Sequence, residues 1–285
     1  MITCTLMGGL GNQLFQIFTT ISYAIKANNE YVFLNVKTLG GGNCTQRFTF
    51  WDTFLKKLQP VLQEELPSMP MIKEEGFPFK ELPLSMLQNR NVCIHGYFQS
   101  YKYIQEYFPL IYKILEIKKQ KREVVEKSGF SKEVLDKTIS MHFRLGDYKK
   151  HTYFHPIMPT QYYLDSLSYL HFLYPEEKFT ILYFCEEEDM ETVEQMIKIC
   201  KKEFPNYEFT TASTMLEDWE QMLLMSDCRH HIIANSSFSW WGAYLNFNLK
   251  TDKTVCYPSL WFQKSGNVDT SDLCPSSWTE IEVKM

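Results

Sequence analysis

The chain has 285 residues, 45% of them hydrophobic and 22% charged, with 34 acidic and 29 basic side chains. The apolar content excludes a disordered chain, and the length fits about two domains or one large one. A net charge of −5 makes the chain a poor candidate for a general nucleic-acid binder, so an anionic ligand needs a local site.

Eight cysteines are scattered without a C-x-x-C pair, which disfavours a zinc or redox motif and predicts buried free thiols. The N-terminus has no basic segment followed by an apolar one, and no apolar window reaches about 18 residues. We therefore expect no transmembrane helix and a cytoplasmic location.

Short apolar runs rich in β-branched and aromatic residues predict seven strands. In chain order they are Ile2–Met7, Tyr31–Val36, Val92–Tyr97, Thr138–Phe143, Phe179–Cys185, Ile232–Asn235 and Thr254–Tyr257. Helical apolar periodicity begins at Leu14, Leu164, Met190 and Trp219, and Thr160 is the expected N-cap of the second of these helices. Strands that alternate with helices indicate an α/β fold with a mainly parallel sheet.

The segment Lys118–Lys137 differs from its surroundings because it contains 11 charged residues in 20. Such a run is typical of a solvated helix or a connector between domains. We place the boundary near residue 135, which gives an N-terminal domain of residues 1–135 and a C-terminal domain of residues 136–285. Each has the size of a Rossmann-like domain, and a cleft between them is the expected ligand site.

A glycine-rich segment, Met7–Phe15, follows the first predicted strand and opens the first predicted helix. Glycines allow a sharp turn and a close approach to a ligand, and helix N-terminal amides can bind a phosphate or a sugar hydroxyl. The dinucleotide fingerprint G-x-G-x-x-G fails because its third glycine position is Leu14. Ordinary turn chemistry explains the segment equally well.

The segment Met141–Tyr148 ends a predicted strand and enters a turn. His142 and Arg144 are two residues apart, so a strand presents them on the same face. A guanidinium at the carboxyl end of a parallel strand suits a diphosphate leaving group, because it neutralises the charge that develops. The alternative is a structural Arg144–Asp147 ion pair that fixes the loop.

The segment His230–Gly242 is an apolar strand that runs into a polar cluster and then a helix. Asn235, Ser236 and Ser237 can cap that helix, or their hydroxyls and amides can hold a phosphate at the positive end of its dipole. Adjacent strand residues face opposite ways, so the pair His230 and His231 is a poor metal site, and we expect no metal.

Three further features fit ordinary structural roles, and the evidence for a functional role is weaker. Trp240 and Trp241 fit core packing better than sugar stacking. Residues 186–189 are acidic and fit a solvated helix start, with Glu186 nearest the strand end and able to reach a ribose or base. Asp218, before Trp219, is a weaker candidate.

Together these motifs resemble the α-1,2-fucosyltransferases of glycosyltransferase family 11. The matching segments span nearly the whole chain, and the run from Ile232 to Trp241 is the most specific. They are Gly8–Gln13, Gly96–Gln99, His142–Tyr148, Asp218–Trp219, Ile232–Trp241 and Trp261. His142–Tyr148 resembles the family's His-x-Arg-Arg-x-Asp element.

The resemblance implies a GT-B-like α/β architecture, with two Rossmann-like domains facing a cleft. It implies an inverting transfer of L-fucose from GDP-fucose to the 2-hydroxyl of a terminal galactoside, without a metal or other cofactor. The partners are then a GDP-sugar donor and an oligosaccharide acceptor, not a nucleic acid. A cytoplasmic enzyme of this kind works at most peripherally to a membrane that carries the acceptor glycan.

The resemblance also implies roles for individual residues in the C-terminal, nucleotide-binding half. Arg144 maps to the first Arg of the element and contacts the donor phosphate, and His142 lies near the guanosine. The second family Arg is Leu145 here, which leaves the donor identity open, although strand alternation turns residue 145 away from the ligand.

We expect Arg144 and Asp147 to be catalytic, with Asp147 either the general base or a residue that orients Arg144. The residues expected to bind the donor are His142, Glu186, Asn235, Ser236, Ser237, Phe238, Gly11, Asn12 and Gln13, the last three in a loop that reaches the fucose or the acceptor.

Three rival functions remain open at this stage. Because Leu145 replaces the second family Arg, the protein could instead transfer another deoxysugar from a GDP donor. A non-catalytic sugar- or nucleotide-binding module would bind GDP without turnover. A dinucleotide oxidoreductase is disfavoured by the failed glycine fingerprint.

Overall fold

The computed structural model describes residues 1–40, 46–212, 215–247 and 252–284. The chain forms two compact units: Met1–Gln120 with Asp269–Pro275, and Lys121–Val268 with Ser276–Met285. This division differs in two places from the expected domains 1–135 and 136–285. Most of the charged run belongs to the second unit, and a short segment near the C-terminus belongs to the first.

The first unit is built around parallel strands, with the order β1-β7-β6 in its main sheet and a separate parallel pair, β2-β5. Its strands are β1 (Ile2–Cys4), β2 (Phe33–Leu34), β3 (Thr38–Leu39), β4 (Arg47–Phe48), β5 (Leu62–Gln63), β6 (Met71–Lys73) and β7 (Val92–His95). Its helices are α1 (Leu10–Lys26), α2 (Leu84–Leu87) and α3 (Phe108–Ile114), and α4 (Ile117–Ser128) continues into the second unit.

The second unit contains a six-stranded parallel sheet with the order β10-β9-β8-β11-β12-β13. Its strands are β8 (Thr138–His142), β9 (Thr180–Phe184), β10 (Glu208–Thr211), β11 (His230–Ile232), β12 (Val255–Pro258) and β13 (Thr279–Ile281). Its helices are α5 (Lys132–Leu135), α6 (Thr160–Leu173), α7 (Met190–Glu203), α8 (Asp218–Asp227) and α9 (Ser237–Tyr244). This strand order is that of a Rossmann fold.

Burial explains why the central strands have apolar sequences. Every residue of β8 is buried, as expected for a parallel strand that is covered on both faces. Its core-facing side chains pack with α6 and α7 through residues such as Leu167 and Val193. Trp240 and Trp241 of α9 are fully buried, so the predicted core role is confirmed.

The expected N-cap at Thr160 is wrong by one residue. Pro159 is the N-cap of α6 and Thr160 is the first helical residue, without a side-chain capping bond. The restricted φ of proline suits the start of a helix. The helix α6 therefore starts after Pro159, although Pro159 has no hydroxyl to cap it.

In the described part of the chain, no helix combines the length and the apolar character needed to cross a membrane.

Candidate functional site

The candidate site lies at the carboxyl edge of the second unit's sheet, where β8 and β11 are neighbours. From β8 the chain proceeds through α6 to β9 on one side, and it later returns through α8 to β11 on the other. The connections diverge here, and this switch point is where parallel α/β sheets bind ligands. The segments after β8 and β11 contain the His142–Asp147 and Asn235–Phe238 residues singled out in the sequence.

Arg144 follows β8 and is bound by two carboxylates. One guanidinium nitrogen donates to Asp147 Oδ1 at 2.5 Å, and the other forms a short ion pair with Glu186 Oε1. The side chain keeps 20% of its exposure, so it is accessible to a ligand. Burial alone would lower the pKa of Arg144, but the two carboxylates raise it overall. The Arg144 guanidinium therefore stays positively charged and is held in one orientation by the two carboxylates.

Asp147 forms the ion pair with Arg144 that the sequence analysis gave as the structural alternative, and this contact orients the guanidinium. Glu186, which the sequence analysis expected to reach a ribose or base, forms an ion pair with Arg144. It can do so because β8 and β9 are paired neighbours, with His142 opposite Phe184, so the two loops begin side by side.

Residues 186–188 of the acidic run are exposed as expected, but the side chain of Asp189 is fully buried. Its carboxylate accepts from the Gly146 amide at 2.6 Å and from Lys149 Nζ at 2.5 Å. A buried charge needs such partners, and these two fasten the Arg144 loop to the start of α7.

Tyr148 is a site residue that the sequence analysis missed. The Arg144 guanidinium lies 5.3 Å from the centre of its ring, and the His155 ring stacks on it at 4.3 Å. Its hydroxyl donates to the Asn235 carbonyl at 2.9 Å. Tyr148 therefore supports Arg144 and joins the loops after β8 and β11. The sequence indicates Tyr148 only through its position one residue after Asp147. Its contacts depend on the order of the strands in the sheet, which the sequence does not show.

His142 lies at the end of β8, with its ring 5.4 Å from that of Phe238. Burial, with a smaller contribution from Arg144, lowers the pKa of His142 to about 3, so the ring is neutral. Its Nδ1 is buried and has no hydrogen-bond partner among the described residues. Buried polar atoms are nearly always paired, so this nitrogen is a candidate ligand contact.

The loop after β11 both caps and positions α9. Ser236 is the N-cap, and its hydroxyl accepts from the Phe238 amide at 3.3 Å. Asn235 donates to the carbonyls of Pro156 and Trp261, while its Oδ1 is buried without a partner in the described chain. The capping role of Ser236 is thus confirmed. Ser237 begins the helix, whose N-terminal dipole faces the same edge as Arg144.

Leu145 occupies the position of the second arginine in the family element. It is 4% exposed and packs in the core of the second unit with Phe143. Leu145 therefore faces the core as expected, although it lies beyond the end of β8, and a larger charged residue there would have to leave the core.

His230 and His231 have structural contacts on different sides of β11. His230 Nδ1 accepts from the Thr254 amide at 3.0 Å. The ring nitrogens of His231 lie 2.7 Å from Ser140 Oγ and 2.9 Å from Asn246 Nδ2.

The glycine-rich turn lies in the first unit, between β1 and α1. Gly8 has a φ of +76°, and Gly9 is the N-cap without a side-chain bond. Gly11 is buried in the first turn, and Gln13 donates to the carbonyls of Gly8 and Phe48. Asn12 accepts from Gln99 Nε2 at 2.7 Å, which joins this turn to the loop after β7. Asp218 begins α8, after β10 at the far edge of the other sheet.

One solved structure is similar to this chain in fold, and two relatives are similar to it in sequence over nearly its whole length. A family 9 glycosyltransferase from Veillonella parvula matches with a TM-score of 0.50 and 11% identity, over 99% of this chain and 85% of that one. The fold is accordingly α/β and GT-B-like. An α-1,2-colitosyltransferase of Escherichia coli is 27% identical over 99% of both chains. A galactoside 2-α-L-fucosyltransferase of Caenorhabditis elegans is 24% identical over 99% of this chain and 79% of its own.

The model of the family "Glycosyl transferase family 11" matches residues 1–258, which include the turn after β1 and the loops after β8 and β11. With the match extending over nearly the entire chain, this protein belongs to glycosyltransferase family 11.

Proposed function

We propose that this glycosyltransferase moves L-fucose from GDP-fucose to the 2-hydroxyl of a terminal galactoside, with inversion at the anomeric carbon to give an α-1,2 linkage. The observation that carries the proposal is Arg144, held by two carboxylates at the switch point beside the N-terminus of α9. A 2-α-fucosyl activity in the name of a relative that spans the chain supports the same reaction.

The donor diphosphate binds Arg144 in this proposal, and the guanidinium fork suits two phosphate oxygens. Glu186 and Asp147 keep the fork oriented before the donor arrives. The N-terminus of α9 adds partial positive charge, and the neutral His142 ring beside Phe238 offers an uncharged nitrogen to the nucleoside.

In the transfer itself, the oxygen of the acceptor hydroxyl forms a bond to the anomeric carbon. The bond from that carbon to the diphosphate oxygen breaks, and GDP leaves with the electron pair. Positive charge develops on the sugar ring and negative charge on the leaving diphosphate. Arg144 stabilises the second of these charges, which preorganised donors do at little reorganisation cost.

The proposal includes no metal or other cofactor, because a fixed guanidinium and a helix N-terminus supply the positive charge that a leaving diphosphate needs. The expected result is an undiminished transfer rate after dialysis against EDTA. Loss of the rate and its recovery with added Mg²⁺ or Mn²⁺ would contradict this part.

A second donor has a specific observation in its favour. A relative named an α-1,2-colitosyltransferase covers 99% of this chain. The same loops would serve a GDP-linked deoxysugar of this type, since the diphosphate contacts do not depend on the sugar.

The test is a donor and acceptor screen. The purified protein is incubated with GDP-fucose, GDP-colitose, GDP-mannose or GDP-rhamnose and with β-galactosides, and the products are weighed by mass spectrometry. We expect a single added deoxyhexose from GDP-fucose, removable by an α-1,2-specific fucosidase. A product from GDP-colitose alone would favour the second donor. GDP binding without any product would instead indicate a non-catalytic module.

A further inference from the structure

The first unit contains a cavity of about 230 Å³. Its walls come from α1, from residues 79–81 before α2 and from residues 102–107 before α3, all within the first unit. None of the lining residues lies in a segment that resembles the family or in the Arg144 site of the second unit. The volume is below the range of about 300–1,000 Å³ that holds a drug-sized ligand, so the cavity suits a ligand of one ring.

The buried part of the cavity wall is aromatic. Tyr23 and Tyr103 are buried with their ring centres 6.3 Å apart, and the half-buried Phe79 packs edge-on against Tyr103 at 4.7 Å. The hydroxyl of Tyr23 accepts from the Leu82 amide at 3.3 Å, and that of Tyr103 accepts from the Lys80 amide at 3.1 Å. These bonds hold the segment before α2 against the two rings. The aromatic surface is therefore preorganised, which lowers the cost of binding a ligand.

The rim of the cavity carries charges of both signs. Lys26 Nζ lies 2.6 Å from Glu81 Oε1 and 3.7 Å from Glu106 Oε2, and both carboxylate side chains are more than half exposed. Lys102 pairs with Asp272 of the same unit. Exposed ion pairs of this kind are weak, so their charged groups can also hydrogen-bond to a ligand.

This balance of charge indicates the class of ligand. An anion in the cavity meets the carboxylates of Glu81 and Glu106, and like charges at close range oppose binding. A cation could use the aromatic rings, as ammonium ligands do in aromatic cages, but here it meets the ammonium groups of Lys26 and Lys102. A neutral ligand avoids both penalties.

A sugar ring matches these walls. It has a face of C–H groups that can pack against aromatic rings, and an edge of hydroxyls that both donate and accept hydrogen bonds. Ammonium groups donate to such hydroxyls, and carboxylates accept from them. The exposed Gln105, whose amide does both, also lines the cavity.

We propose that this cavity binds one neutral monosaccharide unit. The sugar ring lies against Phe79 and Tyr103. Its hydroxyls meet the charged groups of Lys26, Glu81 and Glu106 at the rim. The site belongs to the first unit alone and does not depend on the proposed transfer reaction. A free glycoside and one unit of a longer glycan present the same groups to it.

The test measures sugar binding by saturation-transfer NMR without any donor. The probes are the methyl glycosides of glucose, mannose and N-acetylglucosamine, none of which is a substrate of the proposed reaction. We expect at least one Kd of about 1 mM, as for a ligand of about 13 non-hydrogen atoms. Methyl glucuronide, an anion, and methyl glucosaminide, a cation, should bind at least about tenfold more weakly than the neutral glycoside.

The matched variants place the same large ring at two exposed positions of the first unit. Gln105→Trp obstructs the rim of the cavity, whereas Leu110→Trp lies on α3 outside it. Both should keep the wild-type Tm, but only Gln105→Trp should abolish sugar binding. Phe79→Leu should raise the Kd about twofold to tenfold, the worth of one aromatic contact.

A tetrasaccharide that ends in the bound sugar distinguishes the two sources of the ligand. A Kd at least about tenfold below that of the methyl glycoside would assign the cavity to a longer glycan, and an equal Kd would assign it to a free sugar. Absence of binding by all three neutral glycosides, binding that Gln105→Trp leaves unchanged, or tighter binding of the glucuronide would overturn the proposal. Failure of the donor screen would leave these expectations intact, because no transfer is measured.

Discussion

Arg144 has more negative partners than a structural ion pair requires. Asp147 alone would fix the loop, since it lies three residues away on the same turn. Glu186 comes from the next strand's loop and adds a second carboxylate to the same guanidinium. A diphosphate can compete for a cation held in this way without any large movement of the arginine, because the side chain remains partly exposed.

We expect Arg144→Ala to lower the transfer rate by at least about a hundredfold, comparable to the loss of one preorganised donor. Arg144→Lys should also be impaired, because an ammonium keeps the charge but loses the planar fork. The measurements are kcat/KM for GDP-fucose and calorimetric Kd for GDP. The exposed Arg122→Ala serves as the control. A folded Arg144→Ala with near-normal transfer would remove this residue from the mechanism.

At the residue scale, the sequence predicted the direction of one side chain and missed the partner of another. Leu145 faces the core as expected, although it lies beyond the end of β8 at the start of a 3-10 turn, so its direction does not come from strand alternation. The partner of Glu186 depends instead on the pairing of β8 with β9, which no local pattern in the sequence reports.

At the scale of elements, Tyr148 connects the loops that follow β8 and β11. Tyr148 and Asn235 are 87 residues apart in the chain, although the strands that precede them, β8 and β11, are neighbours in the sheet. The ring contacts both the Arg144 guanidinium and the His155 ring. The direction of the guanidinium therefore depends on the relative positions of two loops.

We expect Tyr148→Leu to lower kcat/KM for the donor about tenfold to a hundredfold, since it removes both a cation–π contact and a hydrogen bond. Tyr148→Phe keeps the ring and should cost about threefold to tenfold, the worth of one hydrogen bond. The KM for the acceptor should not change in either variant.

The matched control is Phe172→Leu, which replaces an aromatic ring that is 78% exposed on α6. Equal losses in Tyr148→Leu and Tyr148→Phe would assign the effect to the hydroxyl alone and would contradict ring support of Arg144.

The sequence predicted the buried strands better than the exposed ones. Five of the seven expected strands contain an observed one, β12 extends one residue beyond its expected end to Pro258, and β11 is shifted toward the histidines. Among the missed strands, β6, β10 and β13 lie at sheet edges, and β6 and β10 contain only exposed and half-buried residues. An edge strand buries less surface, so its sequence lacks the apolar run that identifies a central strand.

At the scale of the whole molecule, three buried histidines make stability depend on pH. Burial is the main cause that lowers the pKa of His142 to about 3, that of His230 to about 4, and that of His231 well below its ordinary value. The unfolded chain therefore binds more protons than the folded one below pH 6.5. The stabilisation is fully present above that pH and is lost as the pH falls.

Each histidine should reduce the free energy of unfolding by about 1.4 kcal/mol per pH unit below pH 6.5, so the three together cost about 4 kcal/mol at pH 5.5. Urea unfolding at pH 7.5 and pH 5.5 measures the difference. His142→Gln should reduce it by one histidine's share, whereas the exposed His151→Gln should not. Equal pH dependence in these two variants would contradict burial of a neutral His142.

The return of residues 269–275 to the first unit has a consequence for synthesis on the ribosome. Asp272 accepts from the Phe79 amide and pairs with Lys102, and its carbonyl accepts from the Ser100 hydroxyl. These bonds can form only after almost the entire chain has been translated. The half of the protein that emerges first is therefore completed after the whole Lys121–Val268 segment has been made, and a gene fragment that stops at residue 120 encodes an unfinished unit.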